Sequence, residues 1–452
     1  MPMRDRARWA FAILLSMALL SAPAIWNRFP LLQYDTGGYL ARWFEPYLVP
    51  SRAVAYGLML NIGAPLSFWP VVLGQSALAV WVIALVLRAH GFARPGILAG
   101  IVAALSVFST LPWLTSILLT DIFAGLGVLA LYLLLLRADR LRRGERIGLG
   151  ILIAVSVATH SATFAVLFAL LVASGVFSLL DPHRLPLRRV GQGALAIAFG
   201  AALVFATNAV ITKRLTWTPG GFALSFGRML QDGIVKKYLD EHCPTATLVL
   251  CAYKDELPRD ADEWFWGSPL FDKLGRFAGL DPEMERIALA SIAAYPLLQL
   301  KTAAIATARQ LIDARTGEGV VNSIWHTYGI IGRYMPQLVP QMRAARQQRG
   351  EIDFTMINRL QYPVALACLL LLPLIGGFML RRKDMNDIGE LAAFCLLALL
   401  ANAFICGTLS NPHDRYGARL IWLAVNVTAL AALHLYEARE RLRSRSIVAS
   451  PQ

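Results

Sequence analysis

Two aspartates at predicted membrane boundaries are the residues of this chain best suited to chemistry. Asp35 lies in the segment Gln33–Tyr39, directly after the first hydrophobic run, and Asp121 precedes a later one. A carboxylate at a membrane boundary is costly to desolvate, and it is expected to bind a ligand or accept a proton. Two structural alternatives stay open. Asp-Thr-Gly-Gly after Tyr34 is also typical of a turn, and Thr-Asp before an apolar helix is typical of an N-cap.

A second polar group lies at 411–419, just before the last hydrophobic run. Its ionisable and aromatic members are His413, Asp414, Arg415, Tyr416 and Arg419. Guanidinium groups match phosphate oxygens in two-point geometry, so this segment suits binding of a phosphate or pyrophosphate at the bilayer surface. The alternative is a salt-bridged loop in which Arg419 reaches towards the interface from the end of a helix.

Two more side chains are candidates because of their positions. Tyr39 is one helical turn beyond Asp35 and would lie beside it if a helix begins there. His160 could relay a proton or donate to a ligand, although a histidine between polar neighbours is more often simply hydrogen-bonded. Both residues are therefore predicted substrate contacts with a structural alternative.

The composition indicates that membrane helices position these residues. Hydrophobic residues make up 57% of the 452 positions and charged residues 16%, with a mean hydropathy of +0.54, which excludes an ordinary soluble domain. Apolar runs of about 20 residues predict about ten membrane spans. They lie at 9–26, 68–88, 95–112, 115–136, 146–160, 162–180, 190–211, 361–380, 387–408 and 418–436. We therefore predict an all-α polytopic membrane protein, in which 146–160 and 162–180 could instead form one long bent helix.

Basic residues predict the orientation, because they cluster at every second connection and at both termini. The clusters are Arg4, Arg6 and Arg8; Arg88 and Arg94; Arg137, Arg140, Arg142, Arg143 and Arg146; Arg184, Arg188 and Arg189; Arg381, Arg382 and Lys383; Arg439, Arg441, Arg443 and Arg445. The positive-inside rule places these connections and both termini in the cytoplasm. Much of the net charge of +14 is then a topological signal, and we expect no nucleic-acid partner. The polar candidates described above all fall on the opposite, external face.

The chain divides into a transmembrane block at 1–211, with a first external loop at 27–67, an extracytoplasmic and mainly helical insert at 212–360, and a transmembrane block with a basic cytoplasmic tail at 361–452. Within the insert, Asp281-Pro282-Glu283 predicts a helix start, and Pro296 is predicted to break that helix. Cys243 and Cys251 are predicted to form a disulfide in an oxidising compartment, with two free thiols as the alternative.

In this layout the chain resembles the GT-C superfamily of membrane glycosyltransferases, which includes the protein O-mannosyltransferase and aminoarabinose transferase branches. Members carry an essential acid in the external loop after the first helix, and Asp35 with Tyr39 matches that loop. The segment 50–57, which contains Arg52, resembles the basic and aromatic stretch before their second helix. A second acid between helices three and four matches Asp121. The segment 413–416 resembles polar motifs near the last helices.

The resemblance implies an enzyme of the cell envelope that moves a sugar from a polyprenyl-phosphate carrier to an acceptor on the external face. Asp35 would be the general base, and Asp121 would orient the acceptor or help to hold a divalent metal, whose participation stays open. Arg52, Arg415 and His160 would neutralise charge on the departing lipid phosphate. The implied partners are the polyprenyl-phosphate-linked sugar, membrane lipid and an unidentified glycan, lipid or protein acceptor. The implied location is a bacterial inner membrane with the insert in the periplasm.

Two other functions stay open at this point: a flippase or transporter of a lipid-linked saccharide, and a non-catalytic scaffold of an envelope complex. Transporters tend to have inverted repeats and polar groups near mid-membrane, whereas the charges here collect at one surface. In the insert, Trp264 and Trp266 could stack on a sugar acceptor or form a hydrophobic core.

Overall fold

The computed structural model describes residues 3–45, 52–218, 220–243, 247–382 and 385–448, and within these ranges the chain is helical without a β-strand. The N-terminal helices are α1 (Met3–Asn27), α2 (Thr36–Ala41), α3 (Val54–Gly63), α4 (Trp69–Ala89), α5 (Pro95–Phe108), α6 (Leu111–Ser116), α7 (Ile122–Leu136), α8 (Arg143–Thr159), α9 (Ser161–Leu180) and α10 (Leu187–Thr212). The insert contains α11 (Ala223–Gln231), α12 (Ile234–His242), α13 (Pro269–Lys273), α14 (Arg276–Ala294), α15 (Pro296–Ile312), α16 (Trp325–Tyr334) and α17 (Val339–Ala344). The last helices are α18 (Thr355–Leu380), α19 (Asn386–Leu409) and α20 (Asp414–Val448). The predicted all-α class is confirmed.

The predicted count of ten spans is not supported by the lengths of the helices. Seven described helices are long and apolar enough to cross a bilayer, namely α1, α4, α9, α10, α18, α19 and α20, and the bent pair α14 and α15 could raise the number to eight. Helices α5, α7 and α8 have 14, 15 and 17 residues, fewer than the roughly 20 that a bilayer requires. The alternative of one bent helix at 146–180 is not realised, because His160 is extended between α8 and α9.

The short helices have a physical explanation in the connection between α5 and α7. The polar residues Ser109 and Thr110 end α5, and the following residues form α6 and an extended segment instead of continuing a span. Leu118 N donates to Leu31 O at 2.9 Å, so this segment pairs with the first external loop. Helix α7 is buried along almost its whole length among α4, α8, α9, α10 and α20. A helix enclosed by protein does not have to match the bilayer thickness.

Arginines from three of the connections assigned to the cytoplasm lie together at one end of the helix bundle, which we call the basic end. These arginines come from α4, the end of α7, the loop before α10 and the start of α10, and they pair with carboxylates of α8, α19 and the turn after α7. The pairs are Arg88–Glu145 at 2.7 Å, Arg137–Glu390 at 2.8 Å, Arg184–Glu390 at 3.4 Å and Arg189–Asp139 at 3.2 Å. These connections therefore lie on the same side of the bundle, as the alternation of charge requires.

The insert contains two packing environments. Residues of α11, α12 and α14 form a separate hydrophobic core around Phe226, Trp264 and Phe271, which we call the second core. The structure joins Cys243 and Cys251, beside this core, in a disulfide. By contrast, the later part of the insert packs on the transmembrane block, with α16 against α2.

The helix start predicted at Asp281 is wrong, because α14 begins at Arg276, directly after Gly275 with φ of +84°. The earlier start places Leu280 on the buried face against the second core, so tertiary packing outweighs the local capping signal. Helix α14 ends at Ala294, and α15 starts at Pro296 after a bend of 103°. The predicted break at Pro296 is confirmed.

Candidate functional site

Asp35 joins the first external loop to the last helix. One of its carboxylate oxygens contacts Arg52 Nη2, and the other lies 2.7 Å from Nη1 of Arg415, the second residue of α20. Burial alone would raise the pKa of Asp35, but the two guanidinium groups lower it to about 2. The carboxylate is therefore ionised at neutral pH and holds two cations at the start of α2.

Tyr39 lies beside Asp35 because a helix does begin there. The backbone N–H of Tyr39 donates to the carbonyl of Asp35 at 3.1 Å, while the Asp35 side chain makes no capping hydrogen bond. The guanidinium of Arg52 lies 5.9 Å from the centroid of the Tyr39 ring, and the phenol oxygen lies 3.4 Å from Thr120 Oγ1. Burial raises the pKa of Tyr39 to about 12, so it is a neutral donor at physiological pH. Pro50 and Ser51, in the segment that resembles the GT-C pattern, lie outside the described residues.

Asp121 is buried next to the same arginine but is bound differently. Its side chain is 3% exposed, and its Oδ2 lies 3.6 Å from Nε of Arg415. Neither of its oxygens accepts a hydrogen bond from a described residue, and the side chain does not cap α7 although Asp121 holds the N-cap position. A buried carboxylate without donors costs free energy, and in native proteins such a group calls for an explanation such as a ligand or a catalytic role.

A cavity of about 30 Å³ lies beside Asp121 and Arg415. Its other walls come from the first external loop, α6 and a loop of the insert, and they include Gln33, Trp113, Leu114, Arg315, Thr316 and Glu318. A second cavity, of about 10 Å³, is lined by Arg52, His160 and Trp217 among others. Spaces of this size have room for only about one or two water molecules, so neither holds a sugar in this conformation.

Asp35, Arg52, Asp121 and Arg415 form what we call the charged cluster. Glu318 also belongs to it, although the sequence did not predict this residue. Its Oε1 lies 2.6 Å from Nδ1 of His413, and its Oε2 accepts from the backbone N–H of Arg415 at 2.6 Å. Burial alone would raise the pKa of Glu318, but these partners lower it. The available signal was a carboxylate between Gly317 and Gly319, a pattern that marks a tight loop and gives no indication of its neighbours.

Two glycines allow the insert to close over the first external loop. Gly319 has φ of +76°, and a Cβ there would lie 2.3 Å from Nε2 of Gln33. A Cβ at Gly37 would lie 2.6 Å from Cα of Thr327 in α16. Side chains at these positions would separate the two segments, so the absence of a Cβ is what keeps Asp35 and Glu318 in one cluster.

His413 and Asp414 connect elements and do not line the cavity. The ring of His413 lies between two carboxylates, with Nε2 at 3.3 Å from Asp262 of the second-core region and Nδ1 against Glu318. Burial alone would lower the pKa of His413, but hydrogen bonds to these carboxylates raise it to about 10. Asp414 Oδ1 accepts from the backbone N–H of Arg315 at 2.8 Å. These two predicted substrate contacts therefore hold the insert to α20.

Arg419 lies one helical turn beyond Arg415 and forms a buried pair with His160. Arg419 is fully buried and forms no ion pair with a described carboxylate; its Nη2 and Nε donate to Asn402 Oδ1 at 2.6 and 3.0 Å. Its Nη1 lies 3.2 Å from Nδ1 of His160. Since a guanidinium can only donate, that ring nitrogen accepts and His160 is neutral. The Tyr416 ring lies 5.0 and 5.8 Å from the guanidinium carbons of Arg415 and Arg419.

The two insert tryptophans have separate environments. Trp264 is fully buried in the second core, where its ring centroid lies 4.9 Å from that of Phe271. Of the two roles considered for it, Trp264 therefore has that of a core residue. Trp266 is 54% exposed. Neither tryptophan lines the cavities at Asp121 and Arg52.

The described residues do not fit the divalent metal that the resemblance left open. They contain no group of three or more His, Cys, Asp and Glu side chains arranged to hold an ion. Asp35 and Asp121 both face Arg415, whose guanidinium occupies the position between them. No step of the proposed chemistry below therefore uses a metal.

No known family model, curated protein or solved structure matches this chain. The resemblance to GT-C glycosyltransferases thus depends on the layout and on the individual residues described above, and it stays a prediction.

Proposed function

We propose that this protein is an integral membrane glycosyltransferase that moves a sugar from polyprenyl phosphate to an acceptor hydroxyl. The observation that carries the proposal is the buried cluster in which Arg52 and Arg415 share Asp35, with Asp121 beside them. It combines cations suited to a lipid phosphate with a carboxylate suited to a proton, at one boundary of a helical membrane protein.

In the proposed topology the cluster faces the outside of a bacterial inner membrane, and the basic end faces the cytoplasm. Helices α5, α7 and α8 then act as short crossings that are partly enclosed by protein, which gives ten crossings and two cytoplasmic termini. The disulfide between Cys243 and Cys251 supports this orientation, because disulfides persist in oxidising compartments such as the periplasm.

The transfer forms a bond between the acceptor oxygen and the anomeric carbon of the sugar. The bond from that carbon to the phosphate oxygen breaks, and its electron pair leaves with the lipid phosphate. Arg52 and Arg415 would bind the phosphate oxygens, since each guanidinium carries five N–H donors and stabilises the negative charge of the leaving group. The hydroxyl proton passes to a carboxylate of the protein.

The geometry favours Asp121 as that carboxylate. Asp121 would then be the general base, the role that the resemblance assigned to Asp35. Both oxygens of Asp35 are already bound to guanidinium groups, which makes it a weak base with a pKa of about 2. Asp121 has lone pairs that no described donor uses, and it lines the cavity next to Arg415. Asp35 would then position the two arginines.

Substrate binding must enlarge this space, because the cavity at Asp121 has a volume of only about 30 Å³. The loop 315–318 forms one wall of it and is held by the contacts of Asp414 with Arg315 and of His413 with Glu318. We propose that this loop moves away from Asp121 when the lipid-linked sugar binds.

The test is transfer by the purified protein in lipid vesicles supplied with a panel of polyprenyl-phosphate sugars and acceptors. General bases typically contribute 10²–10⁴-fold, so Asp121→Asn is expected to slow transfer by about a hundredfold or more. Asp139→Asn at the basic end is the matched control and is expected to retain wild-type activity. Full activity of Asp121→Asn would remove the proposed base. If no donor supports transfer but lipid-linked sugar crosses the vesicle membrane, the protein is a flippase.

A further inference from the structure

Helices α14 and α15 form a sharp elbow in the insert. Together they are long and apolar enough to form a membrane segment, yet their axes differ by 103° at Tyr295. A straight crossing is therefore excluded, and the pair is either a broken span or a segment that stays on one side. The contacts at its two ends distinguish these possibilities.

Both ends of the elbow lie on the side of the bundle that carries the charged cluster. At the C-terminal end of α15, Gln310 Nε2 donates to the backbone carbonyl of His413 at 2.8 Å. At the other end, α14 packs into the second core, which lies on the same side because the neighbouring Asp262 pairs with His413 at 3.3 Å. The surface of this core carries exposed ion pairs such as Lys236–Asp240 and therefore lies in water. A segment with both ends on one side does not cross the membrane.

The inner face of α15 packs on α19, which is one of the apolar spans. Gly407 permits a close approach, since a Cβ there would lie 2.8 Å from the carbonyl oxygen of Ala306. Arg228 of the second core stabilises this contact by bonding to both helices. Its Nε donates to the carbonyl of Gly407 in α19 at 2.9 Å, and its Nη2 donates to the carbonyl of Thr302 in α15 at 3.1 Å. Helix α15 is thus held against a membrane helix close to that helix's end.

The outer face of α15 is apolar and uncovered. Leu297, Leu300 and Ile305 are 80%, 67% and 59% exposed. The neighbouring span α19 also exposes large apolar side chains, including Leu400 and Phe404, so the apolar surface of α15 adjoins one that faces lipid. Lys301 and Arg309 are the basic residues on this helix, and their long side chains can reach headgroups while their stems stay in an apolar layer.

We propose that α15 lies in the lipid–water interface on the side of the charged cluster, with its outer face against acyl chains. The partner of this surface is the bilayer, and anionic headgroups are the counterions for Lys301. Arg309 pairs with Asp313 at 3.3 Å and lies on the same exposed face. The insert is then a partly membrane-bound unit, and α15 fixes the second core at the membrane surface above α19. This inference does not depend on the proposed glycosyltransferase activity.

Depth measurements on the full-length protein test the proposal. Leu300→Cys and Ile305→Cys carry a nitroxide in vesicles of phosphatidylcholine and phosphatidylglycerol, and the matched control is Glu285→Cys on the exposed side of α14. Oxygen concentrates in the acyl layer, whereas a nickel chelate stays in water. The ratio of oxygen to nickel collisions is expected to be several-fold higher at positions 300 and 305 than at position 285.

The wild-type protein treated with the same reagent corrects for labelling of the buried thiols Cys368, Cys395 and Cys406. Unchanged thermal unfolding of each labelled variant shows that it is folded. Equal collision ratios at positions 300 and 285 would overturn the proposal, because α15 would then lie in water. Low collision rates with both reagents at 300 and 305 would also overturn it, since the face would then be covered by protein.

Discussion

The two ends of the helix bundle both carry arginines and carboxylates, but most of the described ion pairs at the basic end include an exposed side chain. At the basic end, Asp139 and Arg189 form a pair in which the aspartate side chain is 62% exposed. In the charged cluster, the side chains of Asp35 and Arg415 are 12% and 16% exposed, and Asp121 only 3%. Exposed pairs contribute little to stability, whereas desolvated charges are costly unless each is well paired.

The pairing in the charged cluster is also uneven. Asp35 pairs with two arginines. Among the described residues, Asp121 has no hydrogen-bond donor and Arg419 has only neutral hydrogen-bond partners, such as Asn402. At the basic end, Glu390 pairs with both Arg137, which is 8% exposed, and Arg184, which is 43% exposed. The comparison teaches that arginine content marks topology at one end, while buried and unevenly paired charge marks the candidate site at the other.

The largest effect is expected for Asp35→Asn. Removing one partner of a buried ion pair leaves charge uncompensated and typically costs about 3–5 kcal/mol. Here two guanidinium groups, those of Arg52 and Arg415, lose their shared carboxylate. Urea unfolding in detergent micelles measures the change. A loss as small as that of an exposed pair would mean that the two ends do not differ energetically.

His413→Gln is expected to have the next largest effect, and that effect depends on pH. The pKa of His413 is raised from 6.5 to about 10 by Asp262 and Glu318, so its stabilising contribution is complete below pH 6.5 and is lost as the pH rises towards 10. Charged hydrogen bonds of this kind contribute about 2 kcal/mol. The variant should therefore be less stable than wild type at pH 6.5 and approach it at pH 10. Parallel unfolding curves across this range would contradict the predicted ion pairs.

Asp121→Asn should separate stability from function. The substitution removes a desolvated carboxylate that accepts no hydrogen bond from the described part of the chain, so we expect a change in unfolding free energy of about 1 kcal/mol or less, in either direction. Transfer should nevertheless be lost if Asp121 accepts the proton. Thermal unfolding and the vesicle assay on the same preparation measure both quantities. A destabilisation as large as that of Asp35→Asn would show that Asp121 is a structural ion-pair partner of Arg415.

The smallest effect is expected for Asp139→Asn at the basic end. Exposed ion pairs contribute roughly 0–1 kcal/mol and weaken with salt. The free energy of unfolding should therefore fall by an amount near the lower end of this range, and the difference should vanish at high ionic strength. Unfolding at low and high salt measures it. A loss that is large and independent of salt would remove the contrast between the two ends.

Much of the fold was predictable because its signals are local. Apolar runs identified every long membrane helix, and Pro296 marked the break before α15. The lengths of the individual helices were not predictable in this way. Ser109 and Thr110 end α5 early, and the residues after them pair with the first external loop through Leu31, a contact that no local pattern indicates.

The sequence predicted which residues belong to the candidate site better than it predicted the role of each one. Charge alternation placed Asp35, Asp121 and 411–419 on one face, and the structure brings Asp35, Asp121 and Arg415 into contact. It also uses His413 and Asp414 to hold the insert, and it adds Glu318 from a loop between glycines. Partner choice of this kind depends on distances across the fold, and neighbouring sequence does not encode them.

The sequence by itself determined that this chain is an all-helical membrane protein with its unusual polar groups near one boundary. Hydrophobic length and the alternation of basic residues are sufficient for that, because insertion into a bilayer responds to each segment in turn. Only the tertiary structure decided that Arg415 reaches Asp35 across 380 residues and that no described residue donates a hydrogen bond to Asp121. Those features arise from packing between distant segments, and packing decides which buried charge is satisfied and which remains available for a ligand.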